Sequence, residues 1–357
     1  MARSVLTPPG VDIVGSWWEC AGVRPTPGST VSQGVTNGGF IVPALVTGRS
    51  AHRGYRHEAV YYQGEDEFLE LVVPFIQEGV AAGQPVMVAV VARRQAALTQ
   101  RLGSAAQAVE FVDMTDLGRN PARIIPACRD FLSRHRDDGP MRGVGEPIWA
   151  GRKAVEIEEC QLHESLLNLA IAPGTPFWML CPYDRSALDP AVIDEAARSH
   201  PVIVEPRVYR GSTLYGGAYH AAELFRRTLP TPAAPIRHLE VDPAAGHHVA
   251  DWVRRWAEAS GVPRRRAAGL AAALRGVAQS GEAQTGPDQM LQLWQQGSDL
   301  VCQLHDPTPV SDPMIGRRPP GQDSSRGRAL LAANDLCDLV QVRSNEGGTT
   351  VRVHTWL

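Results

Sequence analysis

Polar and aromatic side chains occur in pairs at the ends of the predicted β-strands or on helices that face them. In α/β sheets, small ligands bind at the strand ends, where a few polar groups converge on an apolar cleft. Four pairs are therefore our candidate ligand-sensing groups: His57 and Glu58, Glu146 and Trp149, His163 and Glu164, and Tyr183 and Asp184. For Glu146 and Trp149, a loop carboxylate and a core indole are an equal alternative.

One further set of side chains has the types that bind metal ions. Cys160 and His163 lie three residues apart on one face of a predicted helix, and could ligate a metal ion with His57 or Cys181. The alternative is a half-buried thiol and a hydrogen-bonded imidazole. The sequence contains no CxxC or HxxxH pair, which would favour a metal site. We therefore predict no metal site.

Composition limits the class of protein. The chain has 357 residues, 43% of them hydrophobic and 20% charged, which is typical of a soluble globular protein with two domains. The formal net charge of -3 gives no basic field for nucleic acid. The six cysteines are scattered, which favours reduced thiols inside a cell. No apolar run reaches the roughly 18 residues of a membrane span, so we expect a cytoplasmic protein that does not enter the membrane.

The elements that would position the candidate residues follow a regular pattern. From residue 57 to residue 200, a short apolar run alternates with an amphipathic run five times. PVMVAVV, for example, is a continuous apolar run, as expected for a strand buried on both faces. Repeated β-α alternation predicts a parallel α/β sheet.

The flanks of this region have a different composition. Residues 1–50 are rich in Gly, Pro, Ser and Thr and predict a flexible tail. Residues 206–235 mix aromatic residues with Gly and Pro and predict a linker, stiffened by Pro230, Pro232 and Pro235.

Residues 236–357 predict a second domain of another class. Their order is strand, helix, helix, hairpin, long Pro/Gly-rich loop, helix and hairpin. The hairpins turn at Gln296-Gly297-Ser298-Asp299 and at Glu346-Gly347-Gly348. This order predicts an α/β sandwich with an antiparallel sheet.

The same region carries a family resemblance. Its element order, Asp306, Gly327 and the runs LVCQLHD, SDPMIGRRPP and GRALLAANDLCDLVQVRS resemble the GHKL ATPase fold, and more narrowly the RsbW-type anti-sigma-factor kinases. The resemblance implies an ATP site in which one helix carries an acidic residue and, four residues later, an Asn that holds Mg²⁺. Arg275 and Gln279 align with these two positions. Arg275 inverts the charge that a general base needs and would repel Mg²⁺.

The resemblance leaves a degenerate set of possible nucleotide contacts: Gln279, Asp306, Gly327 and Arg328. Asp306 would accept a hydrogen bond from the adenine amine, and the turn at Gly327 would approach phosphate. The family's following glycines are replaced, by Pro307-Thr308-Pro309 and by Ala329. Alternatively, Asp306 ends a strand and Gly327 caps a loop. The resemblance thus implies a GHKL scaffold that binds proteins, with doubtful use of ATP and Mg²⁺.

The first domain resembles a second family. HEAVYYQGEDEFLELVVPFIQEGVAAGQPVMVAV, DLGRNPARIIPACRDF, GVGEPIWAGR, CQLHESLLN and WMLCPYD are similar to the MEDS sensory domain of DcmR and of RsbA-like regulators, over about residues 55–205. The resemblance implies a RecA-like α/β core that senses a small molecule. No GxxxxGK[ST] run follows the first strand, where QGEDEF stands instead, so we expect no ATP there.

Together the two resemblances imply a signalling regulator in which residues 55–205 sense a small molecule and residues 236–357 bind a sigma factor or an anti-anti-sigma (STAS) protein. The RsbW resemblance also implies a homodimer. The alternative is an active ATP-dependent serine/threonine kinase that phosphorylates an anti-anti-sigma protein. The missing Glu/Asn pair on the helix of Arg275 favours the first interpretation.

Overall fold

The computed structural model describes residues 54–232, 234–241, 246–280, 289–319 and 324–357. All of these residues belong to one compact unit, Val42–Leu357. The predicted tail at residues 1–50 lies outside the described residues. Two β-sheets organise the part of the chain that is described.

The first sheet is mostly parallel. Its strands are β1 (Arg56–Tyr62), β2 (Val86–Val90), β3 (Val109–Asp113), β4 (Met141–Gly145), β5 (Phe177–Asp184), β6 (Val202–Glu205) and β7 (Val208–Gly211). They lie in the order β3-β2-β4-β5-β1-β6-β7. All neighbouring pairs are parallel except β6 and β7, which are antiparallel. The predicted parallel α/β sheet is therefore confirmed.

Helices cover both faces of the first sheet. They are α1 (Gly64–Ala81), α2 (Ala92–Leu102), α3 (Met114–Leu117), α4 (Ile124–Arg134), α5 (Ala154–Ala170), α6 (Pro190–Ser199) and α7 (Gly217–Arg226). Side chains alternate along β1 because a strand has a period of two. Val60 and Tyr62 pack with Phe68 of α1, whereas Ala59 and Tyr61 share a core with Leu162 of α5.

The second sheet is antiparallel. Its elements are β8 (Arg237–Val241), α8 (Gly246–Ala259), α9 (Arg264–Gln279), β9 (Gln289–Gln296), β10 (Asp299–Asp306), α10 (Ser325–Leu336), β11 (Leu339–Asn345) and β12 (Gly348–Trp356). The strands lie in the order β11-β12-β10-β9-β8. This is the predicted order of strands and helices. Gly297 (φ +59°) and Gly348 (φ +113°) supply the backbone that the two hairpin turns require.

The segment between the two sheets has secondary structure of its own. Residues 206–235, which the sequence predicts to be a linker, contain β7 and α7. The α7 helix buries His220, Ala221, Leu224 and Phe225. A single cluster of buried apolar residues then runs from the α5 side of the first sheet into the second, and includes Leu162, Leu330 and Val353. The two sheets thus share a core.

Among the described residues, no helix is both long enough and apolar enough to cross a bilayer.

Candidate functional site

Four side chains that can ligate a metal converge between the first sheet and α5. They are His57, Glu164, Cys181 and His200, here called the α5 cluster. Each is at most 1% exposed, and their ligand atoms all lie within 4.8 Å of one another. His57 Nε2 lies 3.1 Å from Glu164 Oε2 and 3.3 Å from Cys181 Sγ. His200 Nε2 lies 3.3 Å from Glu164 Oε2.

Neighbouring elements bring the α5 cluster together. Strands β1 and β5 are parallel and in a register that pairs His57 with Met179 and Ala59 with Cys181. Since alternate residues face the same side of a sheet, His57 and Cys181 both point toward α5. Glu164 lies in the middle of α5, and His200 is the residue that directly follows α6.

Burial controls the ionisation of these groups. Burial, followed by the neighbouring imidazole of His200, lowers the pKa of His57. Burial raises the pKa of the Glu164 carboxyl, but the imidazoles of His200 and His57 outweigh burial and hold it below its ordinary value. The pKa of the Cys181 thiol is well above its ordinary value because of burial and the nearby Glu164.

A second polar cluster lies where three parallel strands end. Tyr62 ends β1, Glu146 follows β4 and Asp184 ends β5, and all three face Arg94 of α2. We call these residues the Arg94 cluster. Glu146 Oε1 lies 2.7 Å from Arg94 Nε and accepts a hydrogen bond from Tyr62 Oη at 3.1 Å. Asp184 Oδ2 lies 3.6 Å from Arg94 Nη2. This is the sheet edge where α/β folds bind ligands.

Two backbone N–H groups at this edge donate hydrogen bonds to carboxylates of the chain itself. The Asp184 carboxylate accepts from the Gly64 N–H at 3.4 Å, and Glu67 accepts from the Gln63 N–H at 2.5 Å. In a phosphate-binding loop these N–H groups would face an anion. Here the two N–H groups donate to Asp184 and Glu67 instead.

Glu146 should make stability depend on pH. Burial raises the pKa of Glu146 to about 7, against the opposing charge of Arg94. Between its ordinary value of 4.5 and 7, the folded protein holds a proton that the unfolded chain has lost, so the stability that this group contributes falls as pH rises. We expect the free energy of unfolding of the wild type, minus that of Glu146→Gln, to fall by up to about 1.4 kcal/mol per pH unit across this window.

Urea titrations of both proteins at a series of pH values measure this difference. Glu70→Gln is the control, because Glu70 is exposed on α1. A difference between wild type and Glu146→Gln that stays constant with pH would contradict the assignment.

The remaining sensing candidates lie apart from one another. Glu58 is on the α1 side of β1, where Oε1 lies 2.6 Å from Arg56 Nη2 and accepts from Tyr209 Oη at 2.7 Å. Trp149 is partly buried, with the Arg152 guanidinium 4.2 Å from its ring.

Two candidates border the α5 cluster. The ring of Tyr183 meets that of His200 edge to face at 5.7 Å. His163 is buried on α5, and burial lowers its pKa to about 3. Cys160 is outside the cluster, since its thiol donates to the Pro147 carbonyl at 3.2 Å.

A small cavity opens beside the β6–β7 hairpin. It has a volume of about 200 Å³ and is bounded by Tyr61, α6 and charged residues that include Arg185, Glu205 and Arg210. No sequence-predicted sensing residue lines it. Its size suits a small molecule of a few heavy atoms.

The residues predicted to contact a nucleotide differ in exposure and in the partners they already have. Arg275 and Gln279 lie one turn apart on α9, and both are exposed. Asp306 is 5% exposed, forms an ion pair with Arg326 and accepts from the Thr308 N–H at 2.8 Å. The carboxylate that would contact adenine is thus already bound by an arginine and by its own turn.

The glycine turn is also used locally. Gly327 lies in the first turn of α10, where its N–H donates to the Ser324 hydroxyl at 3.0 Å, and Arg328 is exposed. Ser324 therefore caps the helix that would otherwise offer its N–H groups to phosphate.

The two sheets meet through a buried charged contact. Glu159 of α5 lies 2.7 Å from Arg317 and 2.5 Å from Arg343, and all three side chains are at most 6% exposed. Nearby, Arg123 donates to the carbonyls of Asn334 at 2.8 Å and Cys337 at 3.0 Å, which end α10. Helix α5 thus contacts both sheets.

Sequence reasoning missed several of these residues. His200 was not a candidate, although a His at the end of a predicted helix could have been considered as a ligand. Arg94 follows Arg93 at the start of a helix, a position where an arginine is usually exposed to solvent. Only the helical period, which places Leu98 and Arg94 on one face, indicates that Arg94 is buried.

Comparison with known proteins identifies part of the chain. Residues 56–201, less than half of its length, match the family model described as MEDS, MEthanogen/methylotroph, DcmR Sensory domain. No curated protein sequence matches. The crystal structure of the RsbU and RsbW domains of Rv1364c from Mycobacterium tuberculosis matches with 17% identity over 34% of this chain and 32% of that chain. The TM-score of this match is 0.27. Residues 56–201 of this chain therefore form a MEDS sensory domain.

Proposed function

We propose that this protein is a cytoplasmic signal-transduction regulator. Its MEDS domain binds a small molecule, and its second sheet with α8–α10 binds a sigma factor or an anti-anti-sigma (STAS) protein. Binding of the small molecule changes the affinity for that partner. The sensory domain supports the first half of this proposal, and the sequence of residues 236–357 is the support for the second.

The contact that carries the proposal is the one made by Glu159. Glu159 and Glu164 are five residues apart on α5, which places them about 140° apart around the helix axis. Glu164 therefore faces the core of the sensory domain, and Glu159 faces Arg343 of β11 and Arg317 of the segment between β10 and α10. A shift of α5 on one side necessarily changes the packing on the other.

We further propose that the second half acts by binding and not by phosphoryl transfer. Asp306 is held by Arg326, and Arg275 stands where the resemblance requires an acid. A site with these side chains lacks the acidic group that would orient a nucleophile, and the longer Gln279 stands in place of the Asn that would hold Mg²⁺. The kinase alternative has no comparable observation in its favour.

A calorimetric titration of the full chain tests both points. Each sigma factor and STAS protein of the source organism is purified singly and titrated without nucleotide, then with Mg²⁺-ATP. We expect one of them to bind without ATP and with an affinity that ATP leaves unchanged. Transfer of the γ-phosphoryl group to a STAS protein would overturn the proposal and establish the kinase.

The sensory half is tested with the same partner. Small hydrocarbon derivatives are first screened by thermal shift against the full chain. A compound that binds must change the partner's affinity, and the partner must change the compound's affinity by the same factor. A compound that binds with no effect on the partner would separate the two halves and contradict the coupling.

A further inference from the structure

The α5 cluster contains more hydrogen-bond acceptors than its own protons can satisfy. The tautomer of His200 is set by a hydrogen bond at Nδ1, which lies 2.8 Å from the backbone carbonyl oxygen of Ala196. A carbonyl oxygen only accepts, so Nδ1 carries the proton. The neutral ring therefore presents the lone pair of Nε2 to Glu164 Oε2, 3.3 Å away.

The tautomer of His57 is set in the same way by Asn168, whose Oδ1 lies 3.1 Å from His57 Nδ1. The orientation of that amide is set on its other side, where Asn168 Nδ2 donates to the Ser199 carbonyl at 2.8 Å. Oδ1 must then accept from His57, so Nδ1 of this ring also carries the proton. Its Nε2 lone pair faces Glu164 and Cys181.

Acceptors thus face acceptors inside a dry core. The Cys181 thiol supplies one proton, which cannot serve both imidazoles and the carboxylate. Among the described residues, Glu164 Oε1 has no hydrogen-bond partner, and the lone pair of His200 Nε2 faces only Glu164 Oε2, which is itself an acceptor, although both side chains are at most 1% exposed. Further protons would make the rings positive, which is costly for side chains at most 1% exposed. A bound cation resolves the conflict.

The spacing fits one cation in particular. Zn²⁺ prefers a tetrahedron of N, S and O ligands at about 2.0–2.3 Å, so its ligand atoms are about 3.3–3.7 Å apart. Three of the six separations within the α5 cluster are 3.1, 3.3 and 3.3 Å, and all of the ligand atoms lie within 4.8 Å of one another. Small side-chain movements would bring the four atoms to a common centre.

We propose that this chain binds one Zn²⁺ ion in a closed four-ligand site formed by His57 Nε2, His200 Nε2, Glu164 Oε2 and Cys181 Sγ. Two neutral imidazoles, a carboxylate and a thiolate make the bound ion neutral overall, as a buried site requires. The outer hydrogen bonds from Nδ1 of each ring to Asn168 and to the Ala196 carbonyl orient the two imidazoles toward the ion.

Binding requires one proton to leave. The S–H bond of Cys181 breaks as the sulfur–zinc bond forms, and the proton passes to the solvent. No position is left for water or substrate, so the ion stabilises the fold and does not catalyse. It links β1, α5, β5 and the end of α6. The inference does not depend on the proposed partner or on the sensed molecule.

The metal content of the folded wild-type chain is the primary test. The full chain is expressed with zinc in the medium, desalted and analysed by mass spectrometry for metals. We expect about one zinc per chain, and about one proton released per zinc when metal-free protein is titrated in buffers of different ionisation enthalpy. Zinc below about a tenth of an equivalent in folded protein overturns the proposal.

Cobalt reports the ligands without any substitution. Co²⁺ in a tetrahedral site with a thiolate gives intense visible bands and a sulfur-to-cobalt charge-transfer band in the near ultraviolet. Wild-type protein loaded with Co²⁺ should show both. A weak octahedral spectrum without the charge-transfer band would place the metal elsewhere and reject the site.

Variants then assign the ligands. Cys181→Ser should remove the charge-transfer band and weaken zinc binding by more than about 100-fold, and Asn168→Ala should weaken it by about 10–100-fold. Cys160→Ser is the matched control, because Cys160 is equally buried but lies outside the α5 cluster. Equal zinc affinity in Cys181→Ser and Cys160→Ser would contradict the assignment.

Discussion

Replacing Glu159 by Gln should destabilise the protein by about 3–5 kcal/mol. The substitution keeps the size of the side chain but removes the negative charge that lies 2.7 Å from Arg317 and 2.5 Å from Arg343. Two buried guanidinium groups would then face each other without a counter-charge. Burial already lowers the pKa of Arg317, so this arginine pays a desolvation cost even with Glu159 present. Urea unfolding at neutral pH measures the loss.

The neighbouring Glu158 provides the control. It is exposed on the same turn of α5, so Glu158→Gln should change the free energy of unfolding by less than about 0.5 kcal/mol. Removing all three charges together gives a sharper comparison. Glu159→Leu with Arg317→Met and Arg343→Met should be more stable than Glu159→Gln alone, because no charge remains buried. A triple variant that is less stable than the single one would contradict this account.

The same variants examine the role of α5 in signalling. If Glu159 transmits a change in the sensory domain, the triple variant should fold but lose the dependence of partner affinity on the small molecule. Folding and coupling are thereby measured separately. A triple variant with unchanged coupling would limit Glu159 to a structural role.

The sequence predicted the elements of the fold better than their arrangement. Five β-α repeats predict a parallel sheet, because a buried strand and an amphipathic helix each have a distinct period. That β1 lies between β5 and β6 follows from contacts between residues more than a hundred positions apart, which no local pattern encodes. The helix α7 was not predicted from the sequence, because the Gly and Pro residues around it are typical of a linker.

The candidate site residues also include some that the sequence predicted and some that only tertiary contacts identify. His57 and Glu164 could be proposed from their types and places, but Cys181 was considered only as a ligand beside Cys160 and His163. The α5 cluster excludes the Cys160–His163 pair because spacing on one helix does not determine which face meets the sheet. Glu158 and Glu159 are adjacent and chemically alike, yet one is exposed and the other fully buried. Only the tertiary packing distinguishes them.

Replacing Arg94 by Met should produce a loss of stability that grows with pH. Arg94 is 4% exposed and lies 2.7 Å from Glu146, whose pKa is raised to about 7 by burial despite this arginine. Without the guanidinium, the pKa of Glu146 rises further. Near pH 5 the carboxyl is protonated in the variant and in the wild type, so the variant loses packing and polar contacts but leaves no uncompensated charge on Glu146. Near pH 8 the wild-type carboxyl is ionised beside Arg94, whereas the variant must either keep the proton or bury the carboxylate unpaired, and both cost stability.

We therefore expect the cost near pH 8 to exceed the cost near pH 5 by up to about 1.4 kcal/mol, measured by urea unfolding at both values. Arg93→Met is the control, because Arg93 precedes Arg94 on α2 but is exposed. Adding Glu146→Leu to Arg94→Met should remove most of the pH dependence, since the buried carboxyl is then absent. A cost that is equal at both pH values would show that Arg94 acts through packing over Phe68, 4.4 Å from its guanidinium, and not as the partner of Glu146.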